Sequence, residues 1–410
     1  MTARLIRREF VRLAGGAACG AALPQAREDA TSRMAEVTGD RRARDQITLF
    51  LAGDVMLGRG VDQILPHPGD PALKEEYVRS ATTYVEIAEQ AHGPIPRRAD
   101  FAYVWGDALE VLGRHRPDVR IVNLETSITT SDDFAPKGIN YRMHPGNIGC
   151  LRAAGIDCCT LANNHVLDFG RRGLLDTLQA LDEAGIASAG AGRDTAQAEA
   201  PAILEVAGRG RVLVFAFGEA SSGIPPGWAA GKDDPGVSLL ADLSDRDVMG
   251  IAERVRAQRR PGDLAIASIH WGDNWGYEIS QAQTSFARQL IDLAGFDVIH
   301  GHSSHHPKAI EIHEGRPILY GCGDFLNDYE GIEGYEAFRD DLVLMYLPTL
   351  SASNGRLVEL RLIPFQIRNF RLNRPSRADA AWLRDTIDRE SRKFGIRTGM
   401  GDDGTFAVTW

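Results

Sequence analysis

The chain has 410 residues, 43% of them hydrophobic and 25% charged, which is enough apolar material for a sizeable core and not the composition of a disordered protein. Its formal charge of −10 excludes the broad basic face that phosphate contacts demand, so no nucleic-acid partner is expected. After the N-terminus no run approaches the roughly 18 continuous apolar residues of a membrane helix, and the mature protein is expected to be soluble.

The first stretch, MTARLIRREFVRLAGGAACGAALPQA, sets Arg7 and Arg8 ahead of Phe10 and a weakly apolar run rich in Ala and Gly. Residues 1–26 are similar to a twin-arginine export signal and predict a periplasmic or extracytoplasmic protein. An ordinary basic amphipathic N-terminus, with the protein then cytoplasmic, is the competing reading. Gly16 stands where lipid-attachment patterns usually carry Leu, so lipidation of Cys19 is not expected. Residues 27–46 are polar and aperiodic and read as a linker. The folded part is expected from Ile47, with a main domain over 47–349 and C-terminal strands and a helix over 350–410 packed on it.

From Ile47 the chain alternates apolar runs with helical stretches. ITLFLAGD, VRIVNLET, DCCTLANN, VLVFAFG, LAIASIHWG and FDVIHGH each read as a buried strand that ends in polar residues or Gly. Between them, RGLLDTLQALDEAG is a helix stopped by Gly185, and SQAQTSFARQLIDLAG is a helix opened by the capping-box pair Ser280 and Gln283. The segment from Gln63 to Asp107 breaks the rhythm and is expected to be a loop-rich insertion. At the far end, RLVELRLIPFQIRNF predicts two strands and the stretch after Ser376 a helix. Strands alternating with helices imply an α/β sheet core. Cys158 and Cys159 fall in an apolar strand and are expected, like Cys150 and Cys322, to be buried thiols, with a disulfide left open. Arg368, Arg371, Arg374 and Arg377 recur every third residue, as a solvated edge or a polyanion stripe.

In open α/β sheets ligands gather at the carboxyl ends of strands, and every polar cluster lies there. The strands end in Asp54 and Arg59, in Asn123 and Glu125, in Asn163, Asn164, His165 and Asp168, in His270, and in His302, Ser303, His305 and His306. Carboxylate, amide oxygen and imidazole on one edge form the mixed donor set that suits Zn, Mn or Fe. The expected cofactor is therefore one or two divalent ions. Arg59, Tyr141 and Arg142 are candidates to hold an anionic carboxylate, with surface ion pairs as the alternative, and Asn163 is placed on the same substrate side.

GDVMLGR, NLET, LANNHVLDFG, IHWGDNW, GHSSHHP and YGCGDF, in this order over Ile47 to Asp328, resemble the motif series of the CapA-like family of poly-γ-glutamate capsule biosynthesis proteins, related to calcineurin-type metallophosphoesterases. The resemblance implies a four-layer αββα sandwich of the metallophosphoesterase type, with a catalytic domain over 47–349. It implies Asp54 as a ligand of the first metal, Glu125 as the carboxylate bridging two metals, and Asn164, His270, His302 and His305 as the remaining ligands. His165 matches the histidine that approaches the leaving group, and Asp168 orients its ring. Met56 departs from the pattern, standing where the phosphoesterases carry a ligand histidine. His306 is expected behind the ligands or exposed. The implied function is metal-assisted hydrolysis or transfer on a γ-glutamyl or peptide-like substrate, beside membrane-bound capsule synthesis machinery. The alternatives are a metal-dependent peptide epimerase and a non-catalytic polymer-binding scaffold.

Overall fold

A computed structural model of the chain describes residues 45–410. The export-signal reading over 1–26, and the expected linker except its last two residues, lie outside the described residues. Residues 45–410 form one compact unit.

Two large sheets carry the fold. Strands β1 (Gln46–Val55), β2 (Val119–Leu124), β3 (Cys158–Thr160) and β4 (Ala187–Ala189) run parallel in the first. The second contains β5 (Ala202–Val206), β6 (Gly210–Gly218), β7 (Leu264–His270), β8 (Val298–His302), β9 (Ile310–His313) and β10 (Arg316–Leu319), in the order β9-β10-β8-β7-β6-β5. The chain then returns to the first sheet as β11 (Asp324–Leu326), β12 (Leu342–Ser351), β13 (Leu357–Arg368), β14 (Arg371–Asn373), β15 (Arg397–Met400) and β16 (Phe406–Thr409). There β12 pairs with the first part of β1, antiparallel from Gln46 to Leu51, and β11 takes over as a parallel neighbour at Asp54.

The alternation of side chains along β6 to β8 sets the layers. Val212, Val214, Leu264, Ile266 and Val298 share one core with residues of the first sheet. Leu213, Phe215, Phe217, Ala265, Ala267 and Ile299 face the other way, onto Val248 and Ile251 of a helix Asp245–Gln258 and Phe286 and Leu290 of a helix Gln281–Asp292. A slip of one residue would exchange the two faces, so the pattern pins the register. Leu174 and Leu181 of the helix Gly170–Glu183 and Leu383 and Ile387 of the helix Arg377–Ser391 belong to the core of the first sheet. The result is an α/β sandwich of two sheets flanked by helices, as the resemblance implied. The capping box at Ser280 is present in both directions, and the Ser376 side chain accepts from the Asp379 N–H.

One expectation is corrected. The stretch Arg356–Phe370 holds one long strand, β13, instead of two. Pro364 does not interrupt it, because on that edge β16 pairs only at Arg361 and Leu362 and β14 only from Gln366, so the missing N–H breaks no ladder bond there. The segment Gln63–Asp107 is loop-rich, as expected, and holds within it a helix over Thr82–His92 that buries Tyr84, Val85 and Ala88, while Trp105, fully buried, donates from Nε1 to the Cys150 carbonyl at 2.8 Å. Of the two readings of the arginines the solvated edge is the one found: Arg368, Arg374 and Arg377 are exposed, Arg368 and Arg371 face each other across a hairpin, and Arg371 is tied to Asp107 at 3.0 Å. Cys150, Cys158, Cys159 and Cys322 are all buried free thiols.

Candidate metal centre

Strands β7 and β8 pair so that Ser268 lies opposite His300 and His270 opposite His302. These four continue the face that Ile266 and Val298 turn toward the first sheet, so the apolar seam between the sheets becomes polar at its carboxyl end. Thr160 of the first sheet accepts from Ser268 Oγ at 3.1 Å, and His300 Nε2 lies 2.8 Å from the Ala52 carbonyl, which fastens the sheets together below the site. Across the seam Asp54 sits beside Asn123 on one side and Asp324 on the other. The ladder of β1 is irregular here, and Gly53 is the reason it can be: a Cβ at that position would lie 1.8 Å from the Gly323 carbonyl oxygen.

Asp54 is common to two groups of donor atoms. One consists of Asp54, His270 and His302, the other of Asp54, His305 and Asp324, and within each the donor atoms lie within 4.8 Å of one another. Asp54 Oδ1 accepts from Asn123 Nδ2 at 2.7 Å, and Oδ2 from the Ser303 N–H at 3.2 Å. His270 Nδ1 and His302 Nδ1 stand 2.8 Å apart, each 3.8 Å from Asp54 Oδ1. Ser268 Oγ, 2.8 Å from His302 Nε2, turns the other ring nitrogen toward the group. His305 Nδ1 is 2.9 Å from Asp324 Oδ1, and Asn327 Nδ2 donates to Asp324 Oδ2 at 2.7 Å. Ser303, with a positive φ of 102°, is the strained turn that lets its amide meet Asp54.

The six ligands expected from the motifs therefore divide. Glu125 and Asn164 lie at the other edge of the His270 ring, with Glu125 Oε1 at 3.8 Å and Asn164 Oδ1 at 3.1 Å from His270 Nε2. Asp54, on the strand that pairs with β11, is the carboxylate common to the two donor groups, and Glu125 stands at the far edge of the His270 ring. Met56 turns its Sδ to the Gly58 N–H at 3.2 Å. The further donor comes from Asp324 on the neighbouring strand, within the motif YGCGDF.

The electrostatics fit a cation. Burial pushes the Asp54 carboxyl up to about 8, with Asp324 adding to the shift, and pushes Glu125 well up, with Asp54 adding to it. Burial also holds His270 and His302 well below the usual imidazole range, as neutral ligand forms. Although burial works against its charge, His305 is raised by Asp324. Glu125 Oε2 is buried with no hydrogen-bond partner among the described residues. Crowded buried carboxylates with an orphaned oxygen, beside neutral imidazoles, are the donor chemistry that a divalent ion compensates.

Beside this cluster His165 Nδ1 lies 2.6 Å from Asp168 Oδ2, and the ring stacks on Tyr141 at 3.9 Å between centroids. Lys137 Nζ is 2.8 Å from Asp168 Oδ1 and also donates to the Asn164 carbonyl. Nothing in the sequence distinguished Lys137; it is one cation in a polar loop. His165, pushed down to about 4 by burial against the pull of Asp168, is neutral near pH 7. The substrate-side expectations are not met by free donors. Arg59 is buried, with Nε 3.1 Å from Asp328, Nη2 also on Asp328, and Nη1 3.1 Å from Glu75, so its fork is spent on two carboxylates. Asn163 donates to Asn123 Oδ1 and the Leu124 carbonyl and accepts the His165 and Val166 N–H groups, which shapes the loop. Tyr141 Oη bonds Tyr329 Oη at 2.6 Å, and Arg142 reaches Asp132 at 2.9 Å and the Ser131 carbonyl.

The family model described as "Bacterial capsule synthesis protein PGA_cap" matches residues 48–329. The chain belongs to that family. It is 51% identical, over 89% of its length and 96% of the relative's, to a protein of Mycobacterium tuberculosis named "Probable polyglutamine synthesis accessory protein". It is 26% identical to the PGA biosynthesis protein CapA of Bacillus subtilis, covering 74% of this chain and 68% of that one, and 25% identical to the capsule biosynthesis protein CapA of Bacillus anthracis, covering 74% and 64%. Among solved structures a phosphatase from Mycoplasma pneumoniae aligns with a TM-score of 0.45 at 12% identity, over 78% of this chain and 94% of that one.

The stretch matched by the PGA_cap model contains the whole cluster, from Asp54 to Asp324. An aromatic roof closes it on the His305 side: Trp275 lies 5.2 Å from the His305 ring and stacks on Tyr335 at 3.9 Å. His306 is fully buried behind the donor groups, with Nε2 accepting the Gly276 N–H at 3.1 Å and the ring stacked on Phe338 at 4.7 Å. Among the described residues no helix is long and apolar enough to cross a membrane.

Proposed function

We propose that this PGA_cap protein is a metal-dependent enzyme that hydrolyses or transfers a γ-glutamyl or peptide-like linkage in capsule polymer synthesis. The observation that carries the reading is the sharing of Asp54 between two donor groups, with the His165–Asp168 pair beside them. The names of the relatives supply the polymer. The motif at Arg7 and Arg8 supplies the compartment, outside the cytoplasm, where capsule synthesis machinery at the membrane is the partner.

Asp54, His270 and His302 would hold one ion and Asp54, His305 and Asp324 a second, with Glu125 and Asn164 at the opposite, Nε2 edge of His270; Mn, Zn and Fe all suit these donors. A bound divalent ion brings the pKa of water toward neutrality and polarises a carbonyl or phosphoryl oxygen. Asp168 fixes the proton of His165 on Nδ1, which leaves Nε2 as the nitrogen that accepts a proton from the attacking group and returns it to the leaving group. Lys137 balances the Asp168 charge and holds the Asn164 backbone. Stacking on Tyr141 keeps the ring from turning.

The test is incubation of protein loaded in turn with Mn, Zn and Fe with a γ-linked glutamate oligomer in heavy water, read by mass spectrometry. Shortened or transferred chains without deuterium at Cα are expected. Intact chains that gain deuterium at Cα would instead establish an epimerase, and tight binding without either change under every metal would establish a scaffold.

A further inference from the structure

A cavity of about 900 Å³ runs along the outer side of the segment Gly272–Gln283. Lys308 lines it and is only 6% exposed. Its Nζ has a single polar contact, 3.5 Å from the Glu278 carbonyl, and no carboxylate within ion-pair reach among the described residues. A buried ammonium with three donors and one long contact is costly unless something else satisfies it. Lys393 lines the same cavity, and so do Ser280, Ala282 and Gln283 at the amino end of the helix Gln281–Asp292. Burial draws the Lys308 pKa down while Asp273 opposes the change.

The cavity and the metal cluster share a wall. The Gly272 carbonyl accepts from Ser303 Oγ at 3.1 Å, the Asn274 carbonyl accepts the His305 N–H at 2.9 Å, and Trp275, which lines the cavity, lies 5.2 Å from the His305 ring. The cavity and the cluster are thus separated by the segment Gly272–Trp275. Glu219, Asp242, Asp273 and Glu278 also line the cavity. Asp242, Asp273 and Glu278 are exposed at its rim, and Glu219 is half-buried. Four carboxylates around two lysines repel a dianion such as phosphate more strongly than a monoanion, so the buried Lys308 ammonium suits a single carboxylate held away from the exposed rim.

We propose that this cavity is a carboxylate subsite: Lys308 Nζ, with Lys393 and the helix amino end, takes an α-carboxylate of a γ-glutamyl chain whose neighbouring linkage lies at the metal cluster. In a γ-linked chain every residue carries one such free carboxylate, so the site sets register along the polymer and takes no part in bond cleavage. The proposal rests on the γ-glutamyl reading above for its ligand but not on turnover.

The test is calorimetric titration of the metal-loaded full chain with a γ-linked glutamate hexamer. Lys308→Met is expected to weaken binding at least tenfold, Lys308→Arg less than threefold, and Asp54→Asn to keep hexamer binding through Lys308 while abolishing turnover. Lys393→Met, at the exposed edge, is expected to weaken binding about threefold and keeps the test decisive if Lys308→Met does not fold. Hexamer affinity unchanged in Lys308→Met, or in Lys393→Met where it alone folds, overturns the proposal, as does a hexamer that fails to bind wild type. Inorganic phosphate displacing the hexamer from wild type overturns the carboxylate assignment. Lys308-dependent binding without cleavage under any metal leaves the subsite standing and removes the enzyme reading instead.

Discussion

Asp324 lies beside Asp54 across the β1–β11 pairing, and its Oδ1 takes His305 Nδ1 at 2.9 Å. That relationship supplies a carboxylate on the side where Met56 offers no ligand nitrogen. Asp324→Asn keeps the shape and the Asn327 contact but removes the charge. Its expected effect is loss of one of the bound ions, or a 10- to 100-fold drop in affinity for it, with the fold retained. Elemental analysis of both proteins after dialysis decides it; equal metal content would remove Asp324 from the ligand set.

His165 has its ring fixed by Asp168 and Tyr141 and bonds to no ligand of either donor group. His165→Ala is therefore expected to lower kcat by about 10²- to 10⁴-fold while metal content stays at the wild-type level. Lys137→Met, which leaves the imidazole in place, is expected to cost less and to act on kcat more than on KM. Loss of metal in the His165 variant would falsify the proton-transfer role and make the residue part of the metal framework.

Local patterns explain what was legible and what was not. The five polar strand ends were visible because each follows an apolar run, and the capping pair at Ser280 and the stop at Gly185 are short-range signals. The sharing of Asp54, by contrast, depends on β11 returning to pair with β1 after the chain has built the whole second sheet, and no local periodicity records that return. For the same reason Asp324 was seen as a motif letter and not as a donor, and Lys137 was not seen at all. Arg59 and Asn163 were legible only as residue types that suit a substrate, because the groups that hold them, Asp328, Glu75 and Asn123, are distant in sequence.

Gly53 carries the approach that makes the shared position possible. Gly53→Ala would drive a Cβ to 1.8 Å from the Gly323 carbonyl oxygen, so β1 and the turn before β11 must separate. The expected cost is about 1–3 kcal/mol in urea unfolding, together with weaker metal retention because Asp54 and Asp324 move apart. A variant with wild-type stability and metal content would show that the close packing here has no bearing on the site.

A pH-dependent part of the stability lies far from the metal, at Asp388 on the helix Arg377–Ser391. Burial works against its charge, but the Arg392 guanidinium at 2.8 Å, the Thr398 N–H at 2.9 Å and Arg397 at 2.9 Å prevail and hold the carboxyl down to about 2. An unfolded Asp titrates near 3.9, so the folded value is the lower one. The unfolded chain then binds the proton more readily, and the contribution is complete above the unfolded value and disappears as pH falls through the folded one. Both arginines are largely exposed, which screens the pairs, so the contribution is about 1–2 kcal/mol and not the full shift. Asp388→Asn is expected to be less stable than wild type by that amount in urea at pH 7, with the gap closing as pH is lowered from about 4 toward 2. A gap that stays constant over that range would mean that the helix end is held by packing of its apolar face and not by this carboxylate.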